Sequence, residues 1–476
     1  MSRLSRRRLL QVPAAAAAVS VLGRGRLIFG QAPAVLRTRS PNSVLNTACI
    51  AVGGRGGAHV GPASGEQIIA ICDVDEGRLD KCEEGLKKKD KIPKGVKRYT
   101  DYRKLFDELG KELDAVFVAT PDHNHAAASL LALKNGIACY TEKPCAWSVA
   151  EAKALAEAAS KAKVATQMGN QGHAGGGIRK VVEWIRDGAI GEVKEVYTWT
   201  NRPIWPQGIT KRPESKPVPK GLDWENWIGP AAFRDYHDGL HGFAWRGWQD
   251  FGCGAIGDMG CHTWDNVFWS MNADWPTALE LLEINGPGGK ETFPKQSNFK
   301  WEFPARGGRA GFTAYWMSGG LKPPVPEEML NDPTRKEGKK GDKKIELPKS
   351  GNLYVGTKGK LLVAGDYADS PRLIPEASMK AWQEERKGKT SSNAVEGSPG
   401  HHKEFLMAAK GEKPWDFPKS NFTYAGPLTE VMLLGAIAEK MGKVGFRIEC
   451  DAEKRIVKTP DAAALVGREY RKGWSL

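Results

Sequence analysis

The chain has 476 residues, 41% hydrophobic and 26% charged, a balance that supports true cores and two domains rather than one. Its net charge is +14, but six arginines and no acid fall in residues 1–34 and a second basic stretch runs from Arg335 to Lys349. Basic and aromatic residues are not interleaved on one element, which argues against nucleic-acid binding. The eight cysteines make no Cys-x-x-Cys pair, so a zinc site is not expected and buried free thiols are.

Ser5-Arg6-Arg7-Arg8 precedes an alanine-rich apolar run to Gly23, and Ala32-Pro33-Ala34 offers a small-x-small cleavage site. This order predicts an export signal over residues 1–34, of the twin-arginine kind. The apolar run is shorter than the roughly 20 residues a membrane span needs, so a periplasmic protein with no stable span is expected.

Asn46–Val52 reads as an apolar strand, followed at once by Gly53-Gly54-Arg55-Gly56-Gly57. A second strand, Ile68–Cys72, ends in Asp73, 20 residues after Gly53. Strand, glycine turn, helix, strand and acid make a dinucleotide fingerprint, with the pyrophosphate on a helix N-terminus and the acid on the ribose hydroxyls. The acid repels a 2′-phosphate, so NAD is expected over NADP. One position departs from the pattern: Ala51 stands where the first glycine belongs.

Alternation of strand and helix continues. Asp114–Ala119 and Gly136–Tyr140 read as strands, with a helix from about Asp122 to Asn135 between them. Ser148 is the expected N-cap of a helix over Val149–Lys161, with Glu151 completing a capping box, and Val164–Gln167 is the last strand. The fold class is therefore α/β: a doubly wound parallel sheet over residues 44–167, then a second domain over 168–476. Ligands of such sheets sit at the carboxyl ends of the strands. Gly53, Asp73, Thr120, Glu142 and Asn170 all fall there and are expected to face one crevice.

Gly-Gly-Arg-Gly, Asp73, Ala119-Thr120-Pro121-x-x-x-His125 and Glu142-Lys143-Pro144 together resemble the glucose–fructose oxidoreductase, inositol dehydrogenase and MocA family (Gfo/Idh/MocA). The resemblance spans about residue 44 to at least 270. It implies that Lys143 lies beside the nicotinamide, turned toward it by a proline that is often cis in the family. It further implies a cofactor site built from Gly53, Gly54, Arg55, Gly56, Asp73, Thr120, Pro121, His125, Glu142, Lys143, Asn170 and Gln171. The second domain is implied to hold an open, mainly antiparallel sheet used for substrate and for homo-oligomer contacts.

Fifteen of the sixteen tryptophans follow residue 170, and several cluster between Trp199 and Trp248. Most are expected in core; indole faces near polar groups also suit sugar rings. Trp245, Arg246, Trp248 and His262 are the candidate substrate contacts. Glu192–Thr200, Phe312–Trp316 and Asn352–Val363 alternate with period two, as strands with one covered face do. Residues 322–350, proline-rich and then lysine-rich, read as a loop insertion.

Asp258-Met-Gly-Cys-His262 places an acid and a histidine four apart, on one face of a helix expected over about Cys261–Met271. This resembles the Asp-x-x-x-His motif of the same family, which lies opposite the Glu-Lys-Pro lysine. Asp258, His262 and Asp265 lack a further clustered ligand, so no metal is expected. The expected catalytic set is His262 as base, Asp258 as its orienting partner and Lys143 as hydrogen-bond partner of the reacting oxygen. The division of roles between Lys143 and His262 is left open.

The expected activity is hydride transfer between a sugar or polyol CH–OH carbon and a tightly held nicotinamide cofactor. Export restricts access to free NAD, which keeps a second reading open: a glycosidase or epimerase that uses retained NAD through a transient keto sugar. Some exported relatives are glycosidases of that kind, in a branch without an intact Glu-Lys-Pro. A third reading is a carbohydrate-binding protein without catalysis.

Overall fold

The computed structural model describes residues 44–88, 96–332 and 345–476. The export signal, and the centre of the 322–350 insertion, lie outside the described residues.

Six parallel strands build the first sheet: β1 (Asn46–Ile50), β2 (Gln67–Cys72), β3 (Lys97–Tyr99), β4 (Ala115–Val118), β5 (Ala138–Thr141) and β6 (Thr166–Met168), in the order β3-β2-β1-β4-β5-β6. Strand β4 is buried along its whole length, as a central parallel strand covered by helices on both faces must be. Strand β3 escapes sequence reading because Lys97-Arg98-Tyr99 is short and polar; it closes the sheet edge beside β2.

After β1 the chain turns sharply. Ala51, in the fingerprint's first glycine position, adopts φ 64°, a left-handed conformation that costs a non-glycine residue roughly 1 kcal/mol. Gly56 is fixed by space rather than conformation: a Cβ there would lie 1.9 Å from the Ala51 carbonyl oxygen. The helix Val149–Ala162 starts as expected, with Ser148 and Glu151 forming a reciprocal capping box.

Nine strands make the second sheet: β7 (Val193–Trp199), β8 (Ala278–Asn285), β9 (Gln296–Phe303), β10 (Phe312–Met317), β11 (Gly351–Gly356), β12 (Lys360–Ala364), β13 (Ser370–Ile374), β14 (Arg447–Asp451) and β15 (Ile456–Val457). Their order is β13-β12-β11-β7-β10-β9-β8-β14-β15, antiparallel throughout except for the β7–β10 pair. The run expected as one strand over Asn352–Val363 is a hairpin, β11 and β12.

The helix Phe422–Met441 is apolar on nearly all sides because it is covered on nearly all sides, packing on the helices Val149–Ala162 and Gly254–Thr263. It thereby joins the two sheets through one continuous core, and the expected boundary at 167/168 falls inside β6, the last strand of the first sheet. All eight cysteines are free, and all but Cys82 are buried. No helix among the described residues is long and apolar enough to cross a membrane.

Candidate active site

A cavity of about 570 Å³ opens at the carboxyl ends of β1, β2, β4 and β5 and continues between the loops of the second half. Gly53, Gly54 and Arg55 line its nucleotide end, as expected. Gly56 does not; it lies behind the turn, where its missing side chain lets helix and strand approach.

Asp73 is buried, and its carboxylate accepts from the backbone of Val52 (2.9 Å), Gly53 (3.2 Å) and Asp75 (3.1 Å). Burial raises its pKa against these bonds and the charge of Arg78. It therefore fixes the glycine turn as well as lining the cavity. Arg78, unremarked in the sequence, lies across Gly53, and both line the same wall.

Thr120, Pro121 and His125 line the cavity. The His125 ring sits 2.6 Å from both the Thr120 and the Pro144 carbonyl oxygens, bracing the Glu-Lys-Pro turn against the end of β4. The Lys143–Pro144 peptide is cis. Glu142 accepts hydrogen bonds from Arg55 Nε and His59 Nε2, each at 2.8 Å. Burial would raise its pKa; the His59 bond and the charges of Arg55 and Lys143 outweigh burial and hold it well below the usual carboxylate range. His59 in turn lies 2.9 Å from His402 Nε2, a residue 343 positions away. Chain separation hides that contact from sequence reading.

Lys143 Nζ donates to Asp258 Oδ1 at 2.6 Å, and Arg246 Nε donates to the same oxygen at 3.1 Å. Burial opposes the charged form of both partners, but mutual attraction raises the Lys143 pKa and lowers that of Asp258. Lys143 is thus an ammonium at neutral pH. These bonds correct the expected geometry: Asp258 orients Lys143 and Arg246, and makes no hydrogen bond to His262. Both motif residues sit in the helix Gly254–Thr263, earlier than expected, followed by a separate short helix Asp265–Ser270.

His262 lines the cavity with its Nδ1 enclosed and unpartnered. Burial, aided by the Lys143 charge, lowers its pKa to about 3, so the ring is neutral at physiological pH. Its ring meets the edge of Tyr367 at a centroid distance of 5.0 Å. Asp122, another lining residue, is raised by burial to about 7 while accepting from the Cys253 amide.

Among the other candidates, Gln171 lines the cavity, bonded to Arg55 and Tyr367. Trp245 lines it too, with the Arg246 guanidinium 4.4 Å from its ring. Trp248 does not: it is 2% exposed and donates to the Gly239 carbonyl inside an aromatic cluster, because an indole there fills a core that Trp224, Trp227 and Phe251 surround. Asn170 does not either; fully buried, it donates to Asp265 and accepts from Ser420, tying β6 to the second half. Among the described residues no group of three or more His, Cys, Asp or Glu is placed to hold a metal.

Residues 46–170 match the model of the oxidoreductase family's NAD-binding Rossmann fold, and residues 180–291 match that of its C-terminal α/β domain, both for Gfo/Idh/MocA. The matched region is that of a Gfo/Idh/MocA oxidoreductase. Its Rossmann domain binds NAD. A D-apiose dehydrogenase of Paraburkholderia graminis is 30% identical over 128 residues, 27% of this chain and 32% of that protein. A glycosyl hydrolase family 109 protein of a Shewanella species is 28% identical over 149 residues, 30% of this chain and 32% of that protein. The chain thus spans about a third of the length of these curated relatives. The WlbA dehydrogenase of Bordetella pertussis, solved with NADH and UDP-GlcNAcA, shares the fold at a TM-score of 0.56 and 15% identity, over 86% of this chain and 99% of that one. The Gfo/Idh/MocA cofactor fits the observed cradle: Gly53 and Gly54 of the turn, the buried acid Asp73 and the ammonium of Lys143 all line one cavity.

Proposed function

We propose that the protein transfers hydride between NAD and a CH–OH carbon of a sugar or polyol. The observation that carries this reading is the 2.6 Å Lys143–Asp258 pair, set where the nucleotide crevice meets the loop wall of the second half. Bound NAD supplies the hydride acceptor; the remaining work falls to side chains. The substrate hydroxyl must give up its proton as hydride leaves the carbon. Lys143, kept charged by Asp258, donates to that oxygen and stabilises its growing negative charge. His262, neutral and lining the cavity, takes the proton; with a pKa of about 3 it is a weak base, so the transfer relies on Lys143 stabilising the oxyanion. Arg246 holds Asp258 in place when Lys143 turns toward substrate.

The test is turnover of NAD with a panel of neutral aldoses and polyols, using wild type, Lys143→Ala and His262→Ala. Both variants are expected to lose turnover while NAD titration is retained. An active His262→Ala removes the base role; a wild type that binds no NAD removes the whole reading.

The family 109 relatives favour a second reading, in which retained NAD is reduced and restored within one cycle that cleaves a glycoside. The intact Glu142-Lys143-Pro144 favours the first. Cleavage of aryl glycosides without net NADH separates the two. Export by a twin-arginine signal, on the strength of Arg6 to Arg8 and the apolar run behind them, belongs to the same proposal, as does assembly through the open face of the nine-stranded sheet.

A further inference from the structure

The turn between β12 and β13 reaches the cavity from the far side, and neither matched family segment includes it. It contributes Asp366 and Tyr367 to the lining. Asp366 lines the cavity, and its Oδ1 atom is enclosed without a hydrogen-bond partner, a costly state for a carboxylate oxygen that a turn of the side chain toward a hydroxyl in the cavity relieves. The nearby cations are already engaged: Arg55 pairs with Glu142, and both Lys143 and Arg246 pair with Asp258.

The turn is held rather than loose. Gly365 has φ 86° and the buried Ala368 has φ 56°, so two left-handed residues bracket the pair. From below, a Cβ on Gly177 would come within 1.9 Å of the Ala368 oxygen, so that glycine lets the turn seat fully. Gln171 Nε2 donates to the Tyr367 hydroxyl at 3.2 Å, and the Tyr367 ring stands against His262. The held backbone therefore sets an unsatisfied acceptor beside the residue that covers the proposed base.

We propose that Asp366 is the substrate-orienting residue of this site: its carboxylate accepts hydrogen bonds from hydroxyls flanking the carbon that loses hydride, and so selects polyhydroxylated substrates over their deoxy analogues. This rests on the dehydrogenase reading above. A carboxylate is the acceptor of choice for a pair of adjacent hydroxyls, because its two oxygens take both protons.

The experiment uses the full chain with NAD and four probes: D-glucose, D-galactose, D-xylose and myo-inositol. The best of these is compared with its monodeoxy analogues on wild type, Asp366→Ala and Asp366→Asn. Wild type is expected to lose about tenfold or more in kcat/KM on one deoxy analogue, the cost of an unmet charged acceptor. Asp366→Ala is expected to lose a similar factor on the parent sugar, through KM, and to treat parent and deoxy analogue alike. Asp366→Asn, keeping one acceptor, should fall between. Thermal melting of the variants, matched to wild type, shows the fold unchanged. A variant that still discriminates parent from deoxy analogue as wild type does overturns the inference and leaves the dehydrogenase reading standing. NAD binding with no probe oxidised counts against the dehydrogenase reading first, and the inference falls with it.

Discussion

The two sheets furnish the cavity in different ways. The six-stranded sheet presents its groups from strand ends inside one run of the chain, so Gly53, Asp73, Thr120 and Glu142 fall into place once the strands are parallel. The nine-stranded sheet contributes from loops and from one helix: Trp245, Arg246, Asp258, His262, Asp366 and Tyr367 come from separate stretches, and their meeting depends on how strands distant in sequence are ordered. The first half is specified by local periodicity, the second by tertiary pairing. Of the second half's lining residues, Trp245, Arg246, Asp258 and His262 fall inside the matched C-terminal family segment, whereas Asp366 and Tyr367 lie beyond it.

The largest expected effect lies where the halves meet. Lys143→Met should lower kcat/KM by about a thousandfold, in the range of a lost acid–base or charge-stabilising group, with NAD affinity nearly unchanged. A loss of NAD affinity in titration instead would move Lys143 from the seam into the cofactor half.

Trp248→Ala sharpens the line between core and cavity in the second half. Truncating this enclosed indole should cost about 3–5 kcal/mol in denaturant unfolding, with KM unchanged in the folded fraction. A raised KM at unaltered stability would return Trp248 to the substrate wall.

Gly56→Ala tests whether the fingerprint glycine serves packing. The added Cβ meets backbone, so about 1–3 kcal/mol of stability should go, together with NAD affinity as the turn shifts. Calorimetry and NAD titration read both; a stable variant with full affinity would refute the packing role.

The last effect is a slope, small over any one pH unit. The folded pKa of His262 lies near 3, below its unfolded value of about 6.5, so the unfolded chain takes up the proton first as pH falls. Stability from this group is complete above about 6.5 and is lost toward about 3, at up to roughly 1.4 kcal/mol per pH unit. His262→Gln should flatten unfolding free energy across that window; an unchanged slope would show that the ring is not buried neutral.

Much of the first half was legible because its signals are short-ranged: the glycine turn, Asp73 at the next strand end, the Ser148–Glu151 box. Even there Asn170 misled, since a polar residue at a strand end can face inward as readily as toward a ligand, and β3 passed unseen for want of apolar residues. In the second half the Asp258–His262 spacing correctly marked one helix face, yet spacing cannot say which neighbour an acid chooses. Lys143 and Arg246 outcompete His262 because charged donors bind a buried carboxylate more strongly than a neutral ring does. His59–His402 and the Asp366 turn needed the assembled molecule, because nothing local distinguishes them from ordinary polar positions.

The helix Phe422–Met441 also sets an order of events during synthesis. It packs against Val149–Ala162 and Gly254–Thr263, and it is made after every cavity-lining residue except Trp474. A chain stalled before residue 422 already holds the nucleotide motif complete, with the helix that carries Asp258 and His262 still unsupported on one side. The packed position of the helix that carries Asp258 and His262 therefore waits on the C-terminal segment, although that segment itself stays out of the cavity.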